Sequence, residues 1–151
     1  MSIVDNIKSI LSEQIAAYRT LVEILRRERE CLVNFNPAGV ESLSKEKDTI
    51  VLKLRLLEEE RSRLVRAFAE SHTIGDQAAF QKLVEVTGDD TFPRLRLQLT
   101  SLLQSIMELN GFNRVLIERS SSVVRNALSF LGSIGVNVST NQTGGHFSRE
   151  V

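Results

Sequence analysis

The chain has no tryptophan, a single tyrosine and seven phenylalanines, so aromatic residues make up only 5% of it. Sheets favour aromatic and β-branched side chains on their pleated faces. A chain poor in aromatics and rich in Leu, Glu, Arg and Ser instead has the balance of a helical bundle. Cys31 is the one cysteine, which excludes an intramolecular disulfide, and its neighbours Leu32 and Glu28 read as the setting of an inert helical thiol. The two histidines, His72 and His146, have no carboxylate or thiol at ligand spacing. Neither Glu-x-x-His nor His-Glu-x-x-His occurs, so no metal site is expected. No run of about eighteen apolar residues exists to span a bilayer, which argues against membrane insertion. The N-terminus lacks a basic start leading into an apolar run, which predicts a cytoplasmic protein.

An excess of either charge is also missing. Nineteen basic and nineteen acidic residues cancel, so no long-range field draws the chain toward nucleic acid or anionic lipid. The basic runs at Arg26-Arg27 and from Arg61 to Arg66 lack aromatics to stack bases, and no nucleic-acid partner is expected. Neither Gly-x-Gly-x-x-Gly nor a Walker-type loop is present, so no phosphate-binding cofactor site is expected. Ser120-Ser-Ser122 has no histidine and acid to form a triad. Glu58, Glu59 and Glu60 are consecutive on a helix and point in different directions, as a solvated face does. These absences predict no enzyme, no cofactor and no metal.

What remains is helical periodicity, in three long segments. From Ile3 to Val33, the row Ile7, Ile10, Gln14, Ala17, Leu21, Ile24, Glu28 and Cys31 alternates by three and four. A second row, with Leu11, Ile15, Tyr18, Val22, Leu25 and Leu32, widens that face enough for two neighbours. The next segment opens with Asn36 as N-cap and Pro37 in the first turn. It continues through Val40, Leu43, Lys47, Ile50, Leu54, Leu57, Arg61, Leu64 and Phe68. Lys47 and Arg61 interrupt this seam, and their stems are expected to lie on apolar surface with the charges in water. Glu58 with Arg61 and Glu59 with Arg63 are the expected surface pairs. A short helix capped by Asp76 should run from Gln77 to Thr87 and stop at Gly88. Asp89-Asp-Thr-Phe-Pro93 then starts the last and most regular segment. There Phe92, Leu95, Leu99, Leu102, Ile106, Leu109, Asn113, Leu116, Ser120, Val123, Ala127, Phe130 and Ile134 keep the spacing of a left-handed supercoil.

The expected architecture is therefore an all-α antiparallel bundle of three long helices and one short helix, with coiled-coil-like packing. Residues 1–135 form the helical domain and 136–151 a flexible C-terminal tail. At 1.5 Å per residue the long helices measure roughly 46, 50 and 60 Å, so the last should overrun its neighbours by ~10–15 Å. That overrun falls on Val123, Val124, Ala127, Leu128, Phe130, Leu131 and Ile134, an apolar set broader than one stripe. Surface of this kind calls for cover, either by another protein or, within the same protein, by the short helix that opens at Asp76 or by a second copy of the chain as a homodimer. Asn110 and Asn113 flank Gly111 in mid-helix, where glycine costs about 1 kcal/mol relative to alanine. Asn113 reads either as a buried amide that sets helix register or as a contact to a ligand helix.

Several of these residues carry a likeness. Leu21 to Leu25 with Glu28-Arg29 and Leu32, then Leu43, Lys47, Leu54 and Leu57-Glu58-x-x-Arg61, and finally Asn110-x-x-Asn113-x-x-Leu116-Ile117, resemble the FlgN family of flagellar export chaperones. The likeness covers about residues 10–131, and the Asn pair followed by Leu-Ile is its most distinctive part. It implies a cytoplasmic bundle that binds the C-terminal helices of hook-associated flagellar proteins. Such a chaperone prevents their premature polymerisation and assists delivery to the type III export apparatus. In the family the late helix and tail carry the binding. The family tail often has Tyr shortly before Gly, whereas this chain reads Val138-Ser-Thr-Asn-Gln-Thr-Gly144, with Phe147 as the aromatic on offer. The residues expected to bind a partner are thus Asn110, Asn113, Leu116, Val123, Val124, Ala127, Leu128, Phe130, Leu131 and Ile134. The alternative is a self-assembling coiled-coil protein or adaptor with no export role.

Overall fold

In the computed structural model, which describes residues 2–133, the chain is all-α. Three long helices, α1 (Ile3–Val33), α2 (Pro37–Ser71) and α4 (Thr91–Ser133), accompany one short helix, α3 (Ala79–Thr87), and no strand occurs among the described residues. This is the expected set of elements. Ile134 and the predicted tail lie outside the described residues.

Local chemistry sets the helix ends. The Asn36 Oδ1 accepts the Gly39 backbone N–H at 3.0 Å, the N-cap bond that satisfies a first-turn donor. Just before it, Phe35 takes a left-handed conformation at φ 52°, which lets the Asn36 N–H reach back to the Cys31 carbonyl at 2.8 Å. A single 3-10 turn, Asp76–Ala78, leads into α3 with no side-chain cap at its start. Gly88 ends α3 at φ 69°, donating its N–H to the Val84 carbonyl, the left-handed stop that glycine adopts without strain. The Asp89 carboxylate then accepts the Thr91 N–H at 3.0 Å as α4 begins.

The described residues divide into two compact units that share the long helices, residues 2–21 with Ile50–Ser105 and Val22–Thr49 with residues 106–133. The first unit has an almost wholly apolar core, in which Ile7, Ile10, Ile15 and Ala17 of α1 are buried with Leu54, Leu57, Leu64 and Phe68 of α2, Leu83 of α3 and Phe92 of α4. The second buries Val22, Ile24, Leu25, Leu32, Val40, Leu43 and Ile106, but also the polar groups Glu28, Ser44, Lys47, Asn113 and Ser120. No helix among the described residues is long and apolar enough to cross a membrane.

Two expected side-chain placements are corrected. Lys47 does not reach water: it is 5% exposed, with its ammonium 2.7 Å from a Glu28 carboxylate oxygen. The Glu28 carboxylate compensates a buried charge that would otherwise have had to reach water. Arg63 bonds Glu60, not Glu59, with Nε donating to Oε2 at 2.9 Å and Nη2 to Oε1 at 2.6 Å, the two-point contact that a guanidinium makes with a carboxylate. Glu58 and Arg61 pair as expected.

Candidate partner-binding surfaces

In the second unit, the buried positions of α4 fall at Ile106, Asn113 and Ser120, a seven-residue recurrence. The next step would be Ala127, which is exposed. After Ser120 the inward row moves on by one residue, to Ser121, Val124, Leu128 and Leu131, each half-buried. A straight α-helix drifts ~20° per heptad against a strict seven-residue repeat, and the drift carries the inward face toward later residues. The expected seam positions Val123, Ala127 and Phe130 are left outside, with Val123 55% and Phe130 65% exposed. Residues 121–132 contain no fully buried side chain.

The polar members of the predicted set part company. Asn110 is half-buried and Asn113 is 2% exposed. The Asn113 side-chain amide donates to the Leu25 carbonyl at 3.0 Å and to Glu28 Oε1 at 2.9 Å. Glu28 Oε2 in turn accepts from Lys47 Nζ. One residue from each long helix therefore joins a buried polar clasp, in which the Asn113 Oδ1 finds no partner among the described residues. Asn113 thus sits as a core amide bonded to a neighbouring helix. Beside it, Gly111 meets open space: a Cβ added there would find no atom within 4 Å, so nothing in the described chain makes the close approach that a mid-helix glycine permits. Leu116 is half-buried, and Phe112 is half-exposed with the Arg29 guanidinium 4.4 Å above its ring.

Sequence reasoning placed Glu28 and Lys47 on seams without pairing them, although a buried acid and a buried base at seam positions are the signal for such a pair. It also left unnoticed a groove of about 690 Å³ in the first unit. Ile7, Leu11, Gln14 and Tyr18 of α1 line it, with Glu58 and Arg61 of α2, Phe80 of α3, and Phe92, Arg96, Leu99 and Leu103 of α4. Gln14 donates to Glu58 Oε2 at 2.9 Å, and Arg61 Nε donates to the same carboxylate at 2.9 Å. The Arg61 bonds hold the Glu58 carboxyl below its ordinary range, against partial burial, with help from Gln14. Burial pushes the Tyr18 phenol up, and the Glu58 charge adds to that.

His72 is accounted for locally. Its ring lies 4.2 Å from that of Phe68, and Nδ1 is 3.0 Å from the Phe68 carbonyl oxygen. Cys31 is half-buried under the Asn36 cap. Among the described residues no group of three His, Cys, Asp or Glu side chains could hold a metal.

A family model described as FlgN protein matches residues 1–143. No curated protein and no solved structure matches the chain.

Proposed function

The chain belongs to the FlgN family of flagellar export chaperones, and from that premise we propose that it binds the C-terminal helical segments of hook-associated proteins through the late turns of α4. Holding those segments keeps the subunits from polymerising early and assists their delivery to the export apparatus. The observation that carries this reading is the rotation of the inward face of α4 after Ser120, which leaves Val123, Ala127 and Phe130 as an exposed apolar row. An amphipathic client helix laid along that row buries its own apolar side in the helix-in-groove mode. Val124, Leu128 and Leu131, half-buried beside it, extend the apolar floor. Asn113 serves this reading from inside, by aligning α4, and not by touching the client.

The test is calorimetric titration of the full chain with a peptide spanning the C-terminal helix of a hook-associated protein. Each apolar side chain seated on complexation is worth roughly 1.5–3 kcal/mol. Val123→Gln with Phe130→Gln should then weaken binding about a hundredfold or more, at ~1.4 kcal/mol per tenfold. The unfolding midpoint should stay near that of the unmodified chain, because both side chains are exposed. Undiminished binding by a folded double variant refutes the placement. A dimer that the same double variant disperses assigns the row to a second copy instead.

A further inference from the structure

Within the second unit, α4 carries two heptad rows that lie one residue apart. Leu109, Leu116, Val123 and Phe130 form the first, and Asn110, Ile117, Val124 and Leu131 the second. Around Asn113 the two rows are treated alike: Leu109 and Leu116 on one flank are half-buried, and so are Asn110 and Ile117 on the other. In the late turns the likeness ends. Val124 and Leu131 stay half-buried, whereas Val123 is 55% and Phe130 65% exposed.

Apolar burial by itself favours the opposite setting. The first row is wholly apolar and includes a phenylalanine, while the second opens with an amide. Turning α4 about its axis by roughly 50°, half the step between successive residues, would carry the first row inward. No fully buried side chain in residues 121–132 opposes that turn. The opposition lies upstream. Such a turn moves the Asn113 Cα by ~2 Å and its side-chain amide farther, away from the Leu25 carbonyl at 3.0 Å and Glu28 Oε1 at 2.9 Å. The Leu25 carbonyl belongs to the α1 backbone, and Glu28 is itself held by Lys47 of α2, so neither acceptor follows α4 round. Asn113 keeps this place although its Oδ1 finds no partner among the described residues. A buried amide retained at a cost in stability is the kind of group that fixes helix alignment.

We propose that the clasp of Glu28, Lys47 and Asn113 is the positioning device of α4: it sets the rotation of the helix and so selects which apolar row is offered to a partner. The rotational assignment stands on the clasp geometry, and the role toward a partner rests on the binding reading given above.

Val123 and Val124, adjacent in the chain and one in each row, report the rotation. Methyl NMR on the full chain with a soluble paramagnetic chelate should relax Val123 about twofold or more faster than Val124. In Glu28→Leu/Lys47→Met/Asn113→Leu, Val123 should slow and Val124 quicken until their order levels or inverts, with the helical circular dichroism unchanged. Asn113→Leu alone, which leaves Glu28 paired with Lys47, should move the two valines the same way and serves if the triple variant does not fold. An unchanged order in a folded variant overturns the proposal. So does faster relaxation at both valines, which is what loss of a merely stabilising contact would give. Affinity for the hook-associated peptide should fall about tenfold or more once the valines exchange places. Exchanged valines with undiminished affinity uphold the rotational assignment and refute the α4 row as the client's seat, so the two failures are distinct.

Discussion

Lys47→Met is the sharpest probe of the second unit, because methionine keeps most of the lysine volume and removes only the cation. The Glu28 carboxylate, 3% exposed, would retain its 2.9 Å bond from Asn113 and lose the 2.7 Å bond from Lys47. Breaking a buried pair by removing one partner costs about 3–5 kcal/mol, since the remaining charge stays uncompensated. In a chain of this size each kcal/mol moves the midpoint by ~2–4 °C, so a fall of roughly 6–20 °C is expected. Removing the whole clasp should behave in the opposite way. Glu28→Leu with Lys47→Met and Asn113→Leu leaves no buried charge and eliminates the unpartnered Asn113 Oδ1, an acceptor whose desolvation alone costs about 1–3 kcal/mol. The triple variant should match the unmodified chain or exceed it by up to about 4 kcal/mol. Thermal unfolding followed by circular dichroism reads both. Amide hydrogen exchange adds the location: protection should fall at Leu25 and Leu43 in Lys47→Met while Leu57 and Phe68 serve as the reference. A Lys47→Met midpoint within about 1 kcal/mol of wild type would refute the clasp's energetics. So would a triple variant as unstable as the single one.

Two further outcomes follow from named geometry. Gly39→Ala would place a Cβ 2.6 Å from the Cys31 sulfur and 2.7 Å from the capping Asn36 side chain, so it should destabilise by about 1–3 kcal/mol in chemical denaturation; Cys31→Ala in the same chain should recover part of that loss, and no recovery would refute the clash. Because Glu58 titrates below its ordinary value through its Arg61 bonds, the stability it lends is present at neutral pH and is lost as the pH falls through that lowered value. Side-chain carboxyl NMR should show the Glu58 midpoint rising in Arg61→Met, and an unchanged midpoint would refute the assigned cause.

Much of the molecule follows from local chemistry. Asn36 and Pro37 start α2, Gly88 stops α3 and the Asp89 side chain opens α4, because caps and dihedral preferences act within a few residues of themselves. The periodic rows likewise determined that three long helices would form and which broad face each would bury. The likeness carried by Asn110, Asn113, Leu116 and Ile117 was also legible, and with it the family. Tertiary structure alone decided which seam residue meets which. A helical row records the side of its own helix that faces inward, but not the height of the neighbouring row, so the rows could not reveal that Lys47 would lie beside Glu28 and Glu28 beside Asn113. The late turns of α4 show the same limit. The seven-residue repeat in the letters continues through Val123, Ala127 and Phe130, whereas the inward face passes to Val124, Leu128 and Leu131. The repeat is a property of the chain; the amount of drift left uncorrected depends on how closely neighbouring helices hold α4 to a supercoil.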